Sequence, residues 1–230
     1  PDSTEIITGR LKEMKSVLII GMGRLGHHLC LNMAHMGNEV MIVDRDEECM
    51  QDLLSSAVMA KVGDCTREDV LRSLGVGNFD ICFVCIGSDF QNSLEITSLL
   101  KEMGAKYVVS KATRDIQAKF LLRNGADEVI YPEKDAAERA AVKYGSNRVF
   151  DYIEMAEGYS ILEIPPMPGW AGKSIGQLAV RSRYHVSILG IKVKGHLQFL
   201  PHPDRVLESD DHLMIVGLKK DVERILANMN

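Results

Sequence analysis

The chain has 230 residues, 46% hydrophobic and 26% charged, a globular balance with room for one large domain or two smaller ones. A formal net charge of −5 gives no electrostatic reason to expect nucleic acid as a partner. No stretch approaches the ~18 continuous apolar residues of a membrane helix, and the opening segment PDSTEIITGRLKEMK lacks the basic-then-apolar layout of a signal peptide.

Val17 to Ile20 predicts a first strand that enters the turn Gly21-Met22-Gly23-Arg24-Leu25-Gly26. A helix-period segment follows, and then a second apolar run that ends at Asp44. In this pattern Gly21 permits a tight turn, Gly23 admits a phosphate to the backbone, and Gly26 lets the helix pack closely on the strand. The helix amides then face the phosphates with the positive end of the helix dipole behind them. Asp44, 23 positions after the first glycine, is placed to hydrogen-bond a ribose. A carboxylate there disfavours a ribose 2′-phosphate, so NAD(H), ATP or ADP rank above NADP.

The β/α alternation continues. Asp46 opens a helix to about Leu54, Val58 to Val62 forms the third strand, and Asp64 or Thr66 caps a helix through Ser73. Phe79 to Ile86 is the fourth strand, and Gly87-Ser88-Asp89 turns it into a helix through Met103. Tyr107 to Ser110, a helix from Thr113 to Arg123, and Asp127 to Tyr131 complete the series. The result is an α/β fold, a Rossmann-like doubly wound parallel sheet in the order 3-2-1-4-5-6, with the ligand over the carboxyl ends of strands one and four. The candidate nucleotide-binding residues are Gly21, Met22, Gly23, Arg24, Leu25 and Gly26 of the turn and Asp44 and Arg45 after the second strand. Asp64 and Cys65 after the third strand, Ile86 and Gly87 after the fourth, and Lys111 after the fifth complete the set. Three of these have two readings. Arg24 meets distal phosphates or stays solvated, Asp64 touches the base or caps a helix, and Lys111 reaches phosphate or solvent.

Pro132 ends the sixth strand, and an alanine-rich helix runs from Glu133 to Tyr144, with Glu133 favourably placed against its dipole. Composition shifts at Phe150 to Glu157. A small α+β module follows: a strand from Tyr159 to Ile164, a helix from Gly172 to Arg181, and a hairpin of Val186 to Val193 and Leu197 to Leu200 around Lys194-Gly195-His196. A last strand from His212 to Val216 and a helix from Lys219 to Ala227 close it. The expected division is 1–14 N-terminal extension, 15–134 nucleotide-binding domain, 135–154 crossover helix and linker, and 155–230 second domain.

Catalytic signatures are missing. Tyr107 and Lys111 match a YxxxK spacing, but along a strand four steps cover about 13 Å, too far for that pair to act together. There is no nucleophile elbow, HExxH or Walker lysine. The five cysteines, Cys30, Cys49, Cys65, Cys82 and Cys85, lack framework spacing and indicate a reducing cytoplasm. Cys82 and Cys85 read CxxC, but an odd separation on a strand sends them to opposite faces. A nucleotide site without catalytic machinery implies a sensor rather than an enzyme. An NAD-dependent oxidoreductase and a freestanding ligand sensor, for which the family resemblance given below adds cyclic di-AMP to the nucleotides, are the competing readings.

Val17 to Asp44, Gly63-Asp64-Cys65-Thr66, Cys85-Ile86-Gly87 and Tyr131-Pro132-Glu133-Lys134-Asp135 together resemble the TrkA/KtrA family. These are the RCK (regulator of K+ conductance) subunits of bacterial potassium uptake systems. Ile161 to Gly217, with its Pro168-Gly169-Trp170-Ala171-Gly172-Lys173-Ser174-Ile175 segment, resembles the TrkA-C (RCK-C) module. The resemblance implies an RCK-N domain followed by RCK-C and a cytoplasmic homodimer that assembles into an octameric ring. That ring would lie at the inner face of the cell membrane, beneath a membrane potassium channel or transporter subunit, and gate it by nucleotide-dependent change of shape. It further implies that Arg24 reaches distal phosphates across the dimer and that Asp64 lies on the base side. Glu133 would contribute to a divalent or monovalent cation site between subunits. Arg181, Ile188 and Pro201 occupy places similar to a cyclic di-AMP site, although His185 stands where many relatives have glycine.

Overall fold

The computed structural model describes residues 14–145, 149–155 and 158–228. Apart from Met14, the expected N-terminal extension lies outside them. The chain divides into two compact units between Glu133 and Lys134.

The first unit is the predicted parallel sheet. Its strands are β1 (Ser16–Ile20), β2 (Glu39–Asp44), β3 (Met59–Val62), β4 (Ile81–Val84), β5 (Val108–Lys111) and β6 (Glu128–Ile130), in the order β3-β2-β1-β4-β5-β6. The helices are α1 (Arg24–His35), α2 (Glu68–Leu74), α3 (Phe90–Glu102) and α4 (Asp115–Arg123), with a 3-10 helix over Glu47–Leu53. Because helices cover both faces, the central strands are apolar on both. Leu18, Ile20, Cys82 and Val84 enter one core, and Val17, Ile19, Phe83 and Cys85 enter another. The two CxxC thiols are therefore separated by the sheet. All five cysteines are free.

Local chemistry altered several boundaries. The segment after Asp46 is 3-10 rather than α, although Asp46 caps it as predicted, accepting from the Glu48 amide at 3.0 Å. Neither Asp64 nor Thr66 caps α2, whose N-cap is Arg67 with no side-chain bond. Asp64 instead closes a local turn, its Oδ1 accepting from the Thr66 amide at 3.0 Å and hydroxyl at 2.8 Å. Pro132 begins the helix α5 (Pro132–Gly145) rather than only stopping the strand, as suits a residue with fixed φ and no amide to satisfy.

The second unit holds an antiparallel sheet of β7 (Asp151–Glu154), β8 (Tyr159–Ile164), β9 (Val186–Val193), β10 (His196–Phe199) and β11 (His212–Leu218), in the order β10-β9-β11-β8-β7. The crossover linker expected over 135–154 thus contains a strand, with Asp151 opposite Glu163 in its pairing with β8. The single helix expected over Gly172 to Arg181 is two, α6 (Ile175–Leu178) and α7 (Val180–Tyr184), separated by Ala179 at φ +47°. Lys194 and Gly195 both have positive φ, so the hairpin turn is two residues and His196 joins β10. Leu162, Ile164, Leu213 and Ile215 pack with Trp170 and with Val222 and Ile225 of α8 (Lys219–Ala227).

Candidate functional site

The glycine turn is held from both ends. Gly21 adopts φ +94° and its amide donates to the Val43 carbonyl at 2.9 Å, which ties the turn to β2. A Cβ on Gly26 would lie 2.0 Å from the Gly21 carbonyl oxygen, so α1 crosses the turn at a distance only glycine permits. Asp44 closes the same structure. Its Oδ2 accepts from the Met22 amide at 2.6 Å and its Oδ1 from the Asp46 amide at 3.0 Å. The carboxylate assigned to a sugar is thereby also a brace for the phosphate-facing turn. Gly23 is the N-cap of α1, with no capping side chain and no acidic residue in the first helical turn. Apart from its own chain neighbours, no residue comes within 4 Å of where its Cβ would be. The first amides of α1 have no partner within the helix, and this end of the helix is left open to an anion.

A cavity of about 520 Å³ covers the carboxyl ends of the strands, within the range of ordinary small-molecule sites. Gly21, Gly23, Arg24, Leu25, Asp44, Arg45, Asp64, Cys65, Ile86, Gly87, Lys111 and Glu133 line it. Met22 and Gly26 do not, because one supplies its amide to Asp44 and the other lies against backbone. Sequence reasoning missed Cys49 of the 3-10 helix and Asp89, Asn92 and Ile96 at the start of α3. Asp89 is the N-cap of α3, accepting from the Asn92 amide at 3.1 Å. The rule that ligands sit over β4 carried the signal, since the segment leaving β4 must bring the start of α3 with it.

Lys111 is not the solvated lysine that was one of its two readings. Its side chain is only 13% exposed, and its Nζ lies 2.7 Å from Glu133 Oε1. Glu133 is held low in pKa by that hydrogen bond first, with smaller help from Arg24. Among the described residues no cluster of three or more His, Cys, Asp or Glu side chains is arranged to hold a metal.

The cysteines of the cavity are not set up as nucleophiles. Burial pushes the Cys65 and Cys85 thiols up to about 12 and also raises Cys49, so none is a ready thiolate. Tyr107 donates to Glu128 at 3.1 Å and is not among the residues lining the cavity that contains Lys111. Asp64 is kept ionised chiefly by the Thr66 amide, with Arg45 and Arg67 contributing less.

In the second unit, Arg181 is exposed on α7, Ile188 packs beside the core from β9, and Pro201 follows β10 half-buried. A cavity of about 410 Å³ there is lined by Tyr159, His185, Leu218, Lys220, Asp221 and Arg224, and by none of those three. His185 has φ +57°, a left-handed conformation that glycine adopts without strain.

Residues 17–132 match the TrkA-N domain model and residues 159–230 the TrkA-C domain model. The chain belongs to the TrkA family. This TrkA-family chain is 38% identical to Ktr system potassium uptake protein A of Bacillus subtilis, over 94% of its own length and 97% of the relative's. It is 36% identical to Ktr system potassium uptake protein C of the same organism, over 91% of its own length and 95% of the relative's. Among solved structures, the GsuK channel superposes with a TM-score of 0.67 at 18% identity, covering 95% of this chain and 40% of that one. A GsuK channel bound to NAD superposes at 0.64 and 18% identity, covering 95% of this chain and 40% of that one. These likenesses establish the shared fold. Among the described residues no helix is long and apolar enough to cross a membrane.

Proposed function

We propose that this TrkA-family chain is a non-catalytic regulatory subunit of a potassium uptake system. It binds an adenine nucleotide, ATP/ADP or NAD(H), in its first unit and passes the occupancy to a membrane channel or transporter subunit. The observation that carries this reading is the braced glycine turn beneath the 520 Å³ cavity, with Asp44 fixed on one side and the open start of α1 facing in. The names of the Ktr relatives support the system, and the NAD of the GsuK complex supports the ligand class. By the same likeness the subunit is cytoplasmic, peripheral at the inner face of the membrane, and works as a homodimer within an octameric ring. A cation at Glu133 would need donors from a second chain. By the family resemblance alone, cyclic di-AMP would bind in the second unit, at Arg181, Ile188 and Pro201.

Signalling here is a population shift, because a nucleotide changes the ring only by its differential affinity for two shapes. The experiment is a thermal-shift panel of ATP, ADP, NAD, NADH and cyclic di-AMP on ligand-free protein, with and without Mg²⁺. At 100 times its Kd a bound nucleotide adds about 2.7 kcal/mol and raises the midpoint visibly. No shift with any adenine nucleotide, or steady turnover of NADH with an aldehyde or 2-keto acid panel, would overturn the proposal.

A further inference from the structure

One ion pair in the cavity is built asymmetrically. Lys111 lies across Gly87, where an added Cβ would fall 3.2 Å from Nζ, 3.4 Å from Cε and 3.5 Å from Cδ. Glycine in the loop leaving β4 thus leaves a groove for the lysine stem, and that side chain is 13% exposed. Its partner Glu133 is 53% exposed, at the first turn of α5. The two meet because β5 pairs with β6, with Lys111 opposite Ile130, and Pro132 then starts a helix that brings Glu133 back over the strand end. A cation so withdrawn from water requires an anion nearby. The exposed carboxylate is the replaceable member of the pair.

Distance along the sheet fixes which part of a ligand reaches this pair. Asp44 ends β2 and Lys111 ends β5, three strands apart in the order β2-β1-β4-β5, or about 14 Å at the usual strand spacing. The glycine turn lies between them. A nucleotide with its sugar at Asp44 and its first phosphate on the turn therefore meets Lys111 only with its far end. Phosphate, with more charge and more acceptor oxygens than a carboxylate, is the stronger partner for an ammonium.

We propose that Glu133 is an internal substitute for a ligand phosphate: it occupies Lys111 in the empty site and is displaced by the distal phosphates of a bound nucleotide. The inference rests on the nucleotide reading above and adds a basis for selectivity to it. Lys111 is the contact, and Glu133 is a positioning residue that sets how much distal charge a ligand must bring. Each long nucleotide breaks one ion pair to make another, and a short one leaves the pair intact.

The test is calorimetric titration of the full chain with ATP and with AMP in chelator, reading the ratio of the two affinities. Glu133→Gln, an isosteric change at an exposed site, is expected to raise the ATP-to-AMP ratio about three- to tenfold, the scale of a partly screened ion pair. Lys111→Met keeps the stem over Gly87 and is expected to lower the ratio below wild type. The double variant should match Lys111→Met, since no cation remains to be released. A ratio for Glu133→Gln within about twofold of wild type, or the same gain in the Lys111→Met background, would overturn the inference while leaving nucleotide binding intact. Wild-type protein that binds neither ligand would overturn both.

Discussion

At position 26 the side chain is a hydrogen because a backbone oxygen occupies the space of anything larger. A Cβ there would stand 2.0 Å from the Gly21 carbonyl oxygen, and a carbonyl in a braced turn does not rotate away like the end of a flexible chain. Gly26→Ala is therefore expected to displace α1 from the turn, lower the urea midpoint by the equivalent of about 1–3 kcal/mol, and abolish the thermal shift given by nucleotide. An alanine variant with unchanged midpoint and shift would show that the turn yields. This role was legible in the sequence, since GxGxxG spacing encodes a local contact between the turn and the first residues of the helix that follows it. The partner of Lys111 was not. Lys111 and Glu133 are 22 positions apart, and only the pairing of β5 with β6 makes them neighbours.

Among the elements, β8 and α8 were predicted with their observed limits, Tyr159–Ile164 and Lys219–Ala227, because alternation and helical period are properties of short segments. The edge strand β7 was not, since Asp151-Tyr152-Ile153-Glu154 has no pattern of its own and is a strand only through pairing with β8. That sheet also carries a charged cluster. Glu163 is 9% exposed and accepts from Lys192 at 3.1 Å, with His212 Nδ1 at 2.8 Å and the Phe150 ring stacked on His212 at 3.8 Å. Burial alone would push the Glu163 carboxyl up; the His212 and Lys192 bonds outweigh it and hold the pKa below the ordinary value of 4.5. A carboxyl depressed in the folded state stabilises fully above its unfolded pKa, and that stability is lost as pH falls through the folded value. Trp170, the single tryptophan, is 3% exposed in this core and reports on the second unit alone. Its fluorescence midpoint in urea is expected to hold from pH 7 to about 5 and to fall below about 4.5. Glu163→Gln should lower the midpoint at pH 7 and flatten the acid decline; an equally steep decline in the variant would assign the acid sensitivity to other groups.

At the scale of the whole molecule, α5 is the helix that a single chain covers least, with Val142 only partly buried against the second core and Arg139 paired with Asp151. It is 14 residues long, rich in alanine, and has no buried residue, although most helical stability comes from packing a face. A second copy is the proposed cover, in keeping with the ring. Eight copies of the 25.6 kDa chain give about 205 kDa, and light scattering on a size-exclusion column is expected to find that mass or its dimeric building block. A monomer at micromolar concentration would sink the ring proposal without touching the nucleotide site.

The sequence by itself determined the α/β alternation, the strand order and the glycine phosphate turn. Each follows from patterns within one strand-turn-helix unit, repeated under a fixed handedness. The tertiary structure decided which side chains share the cavity, that Lys111 is withdrawn over Gly87 into an ion pair, and that an apparent linker supplies a strand. These depend on register and on contacts between distant segments. Local propensity carries no record of such contacts until the chain closes on itself.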